Sequence, residues 1–184
     1  MNNLPQQRKS HLETGLIYFW TASINNWYPL LADDYNKNII LDCLRYLSEK
    51  KKIEVYAFVI MPTHIHFIWK EVERNGKESA HTSFMKFTAH AFQKRIRATV
   101  SCLQSLYSVC AHNKRYEFWQ RDALAVELYT RNVAFQKLEY IHNNPVAKKW
   151  SLSTTVYDYP YSSVRFYETG VDEFGFLKHL GEVL

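Results

Sequence analysis

The stretch Val55-Tyr-Ala-Phe-Val-Ile-Met-Pro-Thr-His-Ile-His-Phe-Ile-Trp69 decides how the chain is read. It has the composition of two apolar strands joined by a short turn at Met61-Pro62-Thr63, with two histidines just past the turn. Side chains alternate faces along an extended strand, so His64 and His66 point one way while Ile65 and Phe67 point the other. Two imidazoles on one face of a buried strand can grip a metal ion together. They can equally sit as satisfied core histidines, and the H-x-H spacing leaves both open.

Working outward, Ile17 to Ser23 is rich in aromatic and β-branched residues and reads as a first strand, broken by Asn25-Asn26 and Pro29. Asp33 or Asp34 caps a first helix with Ile40, Leu44 and Leu47 on one side and Lys50, Lys51 and Lys52 near its end. After the strand pair, Glu71 to Glu78 is a charged loop. Ser79 to about Arg97 is a second helix with Phe84, Phe87 and Ala91 as its apolar stripe and a basic outer part of Lys86, Lys94, Arg95 and Arg97. Residues 98–116 show no clean period and read as an insertion. Phe118-Trp119-Gln120-Arg121-Asp122 leads into a last strand from Ala123 to Tyr129, and a third helix runs from Arg131 to about Asn143, stopped by Pro145. Residues 1–15 form a polar arm, and 151–184 a tail that turns at Tyr159-Pro-Tyr-Ser-Ser163 into a short helix.

The order strand, helix, strand, strand, helix, strand predicts one α+β domain over residues 1–184, a ferredoxin-like βαββαβ sandwich with a helix appended. The third strand is then central, and its histidines face the side that the two standard helices leave open. The appended helix is the element to pack there.

Composition sets the outer bounds. The chain has 184 residues, 47% hydrophobic and 16% aromatic, which excludes disorder for most of its length. A net charge of +5 and a pI near 9.0 permit a polyanionic partner without demanding one. Cys43, Cys102 and Cys110 form no C-x-x-C pair and suit a reducing compartment. No signal peptide and no membrane-length apolar run are visible, so a soluble, cytoplasmic protein is expected.

A second cluster lies in Leu138-Glu-Tyr-Ile-His-Asn-Asn-Pro145. Tyr140 and Asn144 are four apart, about 400° around a helix, and share one side. Asn before Pro is also a common helix terminator, and a lone tyrosine is often a packing residue. His142 points away from that side.

Taken in order, Met61-Pro62, His64-Ile-His66, Phe118-Trp-Gln120, Tyr140-Ile-His-Asn-Asn-Pro-Val146 and Tyr159-Pro-Tyr-Ser-Ser163 resemble the insertion sequence 200-like single-tyrosine (HUH) transposases, closest to the REP-associated tyrosine transposase branch. The resemblance spans about Ile17 to Tyr167. It implies a histidine–hydrophobic–histidine nuclease that cleaves and joins single-stranded or hairpin DNA through a covalent 5′-phosphotyrosine. His64, His66 and Asn144 then correspond to the metal ligands and Tyr140 to the nucleophile. Two imidazoles alone leave Zn²⁺ open; the family points to Mg²⁺ or Mn²⁺. Such enzymes act as monomers or homodimers. The Ala147-Lys-Lys-Trp150 segment departs from the basic–small–glycine run usual after Asn-Pro-Val in this group.

The implied chemistry is physically coherent. A phenol is a weak nucleophile at neutral pH without help, and a divalent ion that polarises the phosphate supplies it. Lys137, Trp119, Arg121 and Lys94 are further candidate DNA contacts, the tryptophan by stacking unpaired bases. The alternative is a catalytically inactive or domesticated DNA-binding module of the same fold. A small-phosphoester hydrolase would need a second H-x-Thr/Ser motif, and the nearest match, His81-Thr-Ser83, falls on a predicted helix.

Overall fold

The computed structural model describes residues 12–99, 106–111, 114–121 and 123–184. Most of the expected N-terminal arm (1–11) and part of the expected insertion (100–105 and 112–113) lie outside them. Four strands form one antiparallel sheet: β1 (Ile17–Ser23), β2 (Ile53–Ile60), β3 (His64–Glu71) and β6 (Leu124–Glu127), in the spatial order β2-β3-β1-β6. Helices α1 (Asp34–Glu49) and α2 (Ala80–Thr99) cover one face, and α3 (Arg131–Asn143) packs on the other. The expected α+β sandwich with its appended helix is what forms. The segment 98–116 holds a small hairpin, β4 (Ser108–Ala111) and β5 (Lys114–Tyr116).

Because both faces of the sheet are covered, β2 and β3 read as nearly unbroken apolar runs and are buried almost residue by residue. On the first face Trp20, Phe67 and Trp69 meet Phe84 of α2, with ring centroids 5.9, 5.6 and 6.0 Å from it. Ile40, Leu44 and Leu47 of α1 close this core. On the second face Phe19, Val59, Ile68 and Val126 take Ala134, Leu138 and Ile141 of α3.

Asp33 caps α1, its carboxylate accepting from Tyr35 N at 2.9 Å. In α2 the buried row is Phe84, Thr88, Phe92 and Ile96, at four-residue spacing; Phe87 is 55% exposed and falls off it. The last strand is shorter than 123–129, because the chain leaves the sheet after Leu128 and turns to Thr130, the N-cap of α3.

The tail runs along the outer edge of β2. Ile60 N donates to Tyr161 O (2.9 Å), Ser163 N to Phe58 O (3.0 Å) and Lys178 N to Val55 O (2.9 Å). The short helix α4 (Val164–Thr169) lies between these points and ends on Gly170, at φ +74°. A sheet edge that would otherwise stand open is thus covered by the chain itself. Among the described residues no helix is long and apolar enough to cross a membrane.

Candidate functional site

His64 and His66 open β3, facing α3 as alternation requires, with ring centroids 4.8 Å apart. Register fixes their neighbours. Thr21 of β1 stands opposite His66, and its Oγ1 is 2.7 Å from His66 Nδ1. Thr63, last residue of the hairpin turn, places Oγ1 3.1 Å from His64 Nδ1. Phe19 stacks on His66 at 5.4 Å and 19°.

Helix α3 sits on the sheet through Ala134, Leu138 and Ile141. Lys137, Tyr140 and Asn144 follow one another at i, i+3 and i+7 and form the strip alongside, directed at the histidines. The Tyr140 ring lies 5.2 Å from His66 and 5.8 Å from Phe19, edge-on to both, and half its surface is open to solvent. Lys137 Nζ is 4.9 Å from the Phe19 ring and 5.9 Å from that of Tyr140. Asn144, the C-cap of α3, is buried. His142, on the other side of the helix, is pinned with Nε2 3.0 Å from Ser163 Oγ.

The two histidines, Lys137, Tyr140 and Asn144 line one cavity of about 500 Å³, with Trp27, Lys149 and Trp150 at its far end and no acidic side chain in its wall. Burial pushes His64 down to about 4, the nearby Asn144 amide pulling the other way without forming a full hydrogen bond and Lys149 adding to the drop. Burial, with His64 and Lys137 behind it, takes His66 down to about 3. Both rings are therefore neutral at physiological pH, the state in which imidazole binds a metal.

The donor set suits a divalent cation. His66 Nε2 and Asn144 Oδ1 are buried without a hydrogen-bond partner, although buried polar atoms almost always have one. Each histidine has its Nδ1 engaged by a threonine hydroxyl, the outer contact that leaves Nε2 free to coordinate. Among the described residues no three His, Cys, Asp or Glu side chains gather into a metal-binding group; beside the two imidazoles stands the amide oxygen of Asn144.

Of the residues singled out from sequence, His64, His66, Tyr140, Asn144 and Lys137 come together on one face of the sheet. Trp119 does not join them. It lies in the core on the opposite face between Phe84 and Phe92, its Nε1 donating to Thr88 Oγ1 at 3.0 Å. Arg121 borders a second cavity on that same side, and Lys94 is exposed on α2, which covers it. Sequence reading passed over Thr21, Thr63, Trp27, Lys149 and Trp150. Alternation along β1 shows that Thr21 faces with Phe19, but nothing local pairs it with His66.

Fold and site together define an α+β sandwich on which two strand imidazoles and a helix-borne phenol meet. No protein-family model matches the chain. No curated protein matches it in sequence. Among solved structures it shares its fold with a REP-associated tyrosine transposase bound to a REP hairpin, at TM-score 0.63 and 19% identity over 96% of this chain and 93% of that one. A candidate transposase from Deinococcus radiodurans R1 aligns over 74% of this chain and 95% of its own, at TM-score 0.41 and 16% identity.

Proposed function

We propose that this protein is a tyrosine DNA strand transferase of the transposase type, acting on single-stranded or hairpin DNA with a divalent metal ion, Mg²⁺ or Mn²⁺. The observation that carries this reading is the meeting of Tyr140 with His66, ring centroids 5.2 Å apart, beside two buried donor atoms that lack partners. The fold shared with a hairpin-bound tyrosine transposase supports it.

His64, His66 and Asn144 would hold the metal, which when bound would polarise the scissile phosphate and offset the charge that develops on it. The protein's own groups do the rest. The lysines at either end of the cavity, Lys137 and Lys149, attract the phosphodiester, and no wall carboxylate opposes it. Tyr140 Oη attacks phosphorus, and its proton passes to solvent. The Oη–P bond forms as the P–O3′ bond breaks, and the departing 3′-oxygen takes up a proton. The product is a 5′-phosphotyrosine and a free 3′-hydroxyl. The ester keeps the energy of the broken bond, so a 3′-hydroxyl can attack it, expel Tyr140 and seal a strand without a nucleotide cofactor.

Incubation with hairpin-bearing single-stranded DNA and Mn²⁺ or Mg²⁺ tests the proposal. A protein–DNA adduct that survives denaturant is expected, lost in Tyr140→Phe while DNA binding persists. A Phe variant that still nicks would refute the assignment. DNA binding with no adduct under any metal would favour an inactive binding module of the same fold.

A further inference from the structure

The segment joining β1 to α1 is unusual at Trp27. Asn26 and Trp27 both have φ of +55°, in the left-handed region that bulky side chains seldom adopt, and the Trp27 indole is 50% exposed. The segment is nevertheless firmly held. Ile24 N donates to Thr63 O (2.8 Å), Asn25 N to Phe118 O (2.7 Å) and Leu31 N to Pro62 O (2.9 Å). Two of these three bonds reach the turn that leads into the histidines. The backbone is thus tied into a costly conformation whose result is a half-exposed indole standing at the far end of the cavity.

What surrounds that indole suits a nucleobase. The Trp27 ring is 5.7 Å from His64, and Trp150 approaches the same histidine at 5.2 Å. Lys149 Nζ stands 5.7 Å from the Trp27 ring and 4.8 Å from that of Trp150. Aromatic faces beside a cation are how proteins hold unpaired nucleotides without reading their sequence. The rings also have an order: Tyr140 neighbours His66, His66 neighbours His64, and His64 neighbours both tryptophans. An in-line attack sends the leaving oxygen away from the nucleophile, toward the tryptophan end.

We infer that Trp27 and Trp150 form a stacking site for the base of the nucleotide whose 3′-oxygen leaves, with Lys149 pairing to the phosphate on its far side. The inference rests on the strand-transfer reading for which side of the break is held; the stacking itself does not. Its consequence is retention. The cleaved strand's 3′-hydroxyl stays beside the phosphotyrosine, where it can reseal or yield to another strand.

The test uses the full chain with Trp27→Ala and Trp27→Phe. First the nick is mapped with wild-type protein; then adduct formation is timed on the intact strand and on strands abasic just 5′ or just 3′ of the nick. Trp27→Ala is expected to slow adduct formation about 5- to 150-fold on the intact strand, the range of one lost stacking contact, with Trp27→Phe close to wild type. The 5′-abasic strand should be slow for wild type and should no longer separate it from Trp27→Ala, whereas the 3′-abasic strand should preserve the difference. Full-rate cleavage by Trp27→Ala, or a defect that persists on the 5′-abasic strand, overturns the inference. Binding of the same intact strand to Tyr140→Phe, with and without Trp27→Ala, reads stacking apart from chemistry. Equal affinity refutes the stacking site even where adducts form. Absence of any wild-type adduct refutes the transfer reading, and with it the assignment of the held side.

Discussion

The two imidazoles owe their readiness to two small hydroxyls. Thr21 reaches His66 from the neighbouring strand and Thr63 reaches His64 from the turn, so each ring is fixed through the nitrogen that does not face the cavity. Losing such an outer contact typically costs 10- to 100-fold in metal affinity. On the proposed reading, Thr21→Val keeps the shape of the side chain and removes the bond, so Mn²⁺ affinity measured by calorimetric titration should fall by roughly that factor. Unchanged affinity would show that packing by Phe19 alone holds the ring. Lys137 belongs to the same scale. It is a half-buried cation beside Tyr140, and on the proposed reading it is the near contact for a phosphate approaching that hydroxyl.

Among the elements, α3 carries the nucleophile of the proposed reaction, and its seat is built from two directions. Ala134, Leu138 and Ile141 press on the sheet, while His142 reaches the tail at Ser163. Ser163 Oγ accepts from Phe58 N at 3.0 Å, so one buried hydroxyl links helix, tail and edge strand. Ser163→Ala leaves the His142 ring, neutral because burial takes it down to about 4, without that partner. A loss of about 1–3 kcal/mol in urea unfolding is expected, the cost of stranding a buried polar group; a smaller change would mean that water replaces the hydroxyl. On the opposite face, Phe84 is fully buried against Trp20, Phe67, Trp69 and Trp119. Phe84→Ala should cost about 3–5 kcal/mol by the same measurement, since so rigid an aromatic cluster can scarcely collapse into the space.

At the level of the whole molecule, the tail is fastened by charge as well as by backbone bonds. Glu54 on β2 meets Lys178 of the tail at 2.6 Å, Lys70 of β3, and the Tyr56 hydroxyl at 2.7 Å. Burial alone would raise its carboxyl, but the hydrogen bonds from Lys178, Lys70 and Tyr56 outweigh it and bring Glu54 from 4.5 down to about 2. A carboxyl lowered on folding adds stability that is fully present above its unfolded value. That contribution should fade as pH falls from about 4.5 to about 2. Thermal unfolding followed across this window should show wild type losing stability more steeply than Glu54→Gln. Parallel curves would mean that the lysines find other partners.

Much of this was legible in residue order, because it is local. Alternation on an extended chain put His64 and His66 on one face, helical spacing put Tyr140 and Asn144 on one side, and the limits of β1 and α3 follow from Asn25 and Pro145. The Phe87 expectation failed because a helix next to an aromatic core can present more than one plausible apolar row, and only the packed neighbours choose Phe84, Thr88 and Phe92. The sequence by itself therefore determined the four strands of the main sheet, the three long helices, their order and which side chains share a face on β3 and α3. Tertiary structure alone decided that Thr21 stands beside His66, 45 positions further along the chain, that Trp27 and Trp150 meet at His64, and that the tail closes the edge of β2. Such pairings depend on strand register and loop closure, and no short-range pattern encodes them.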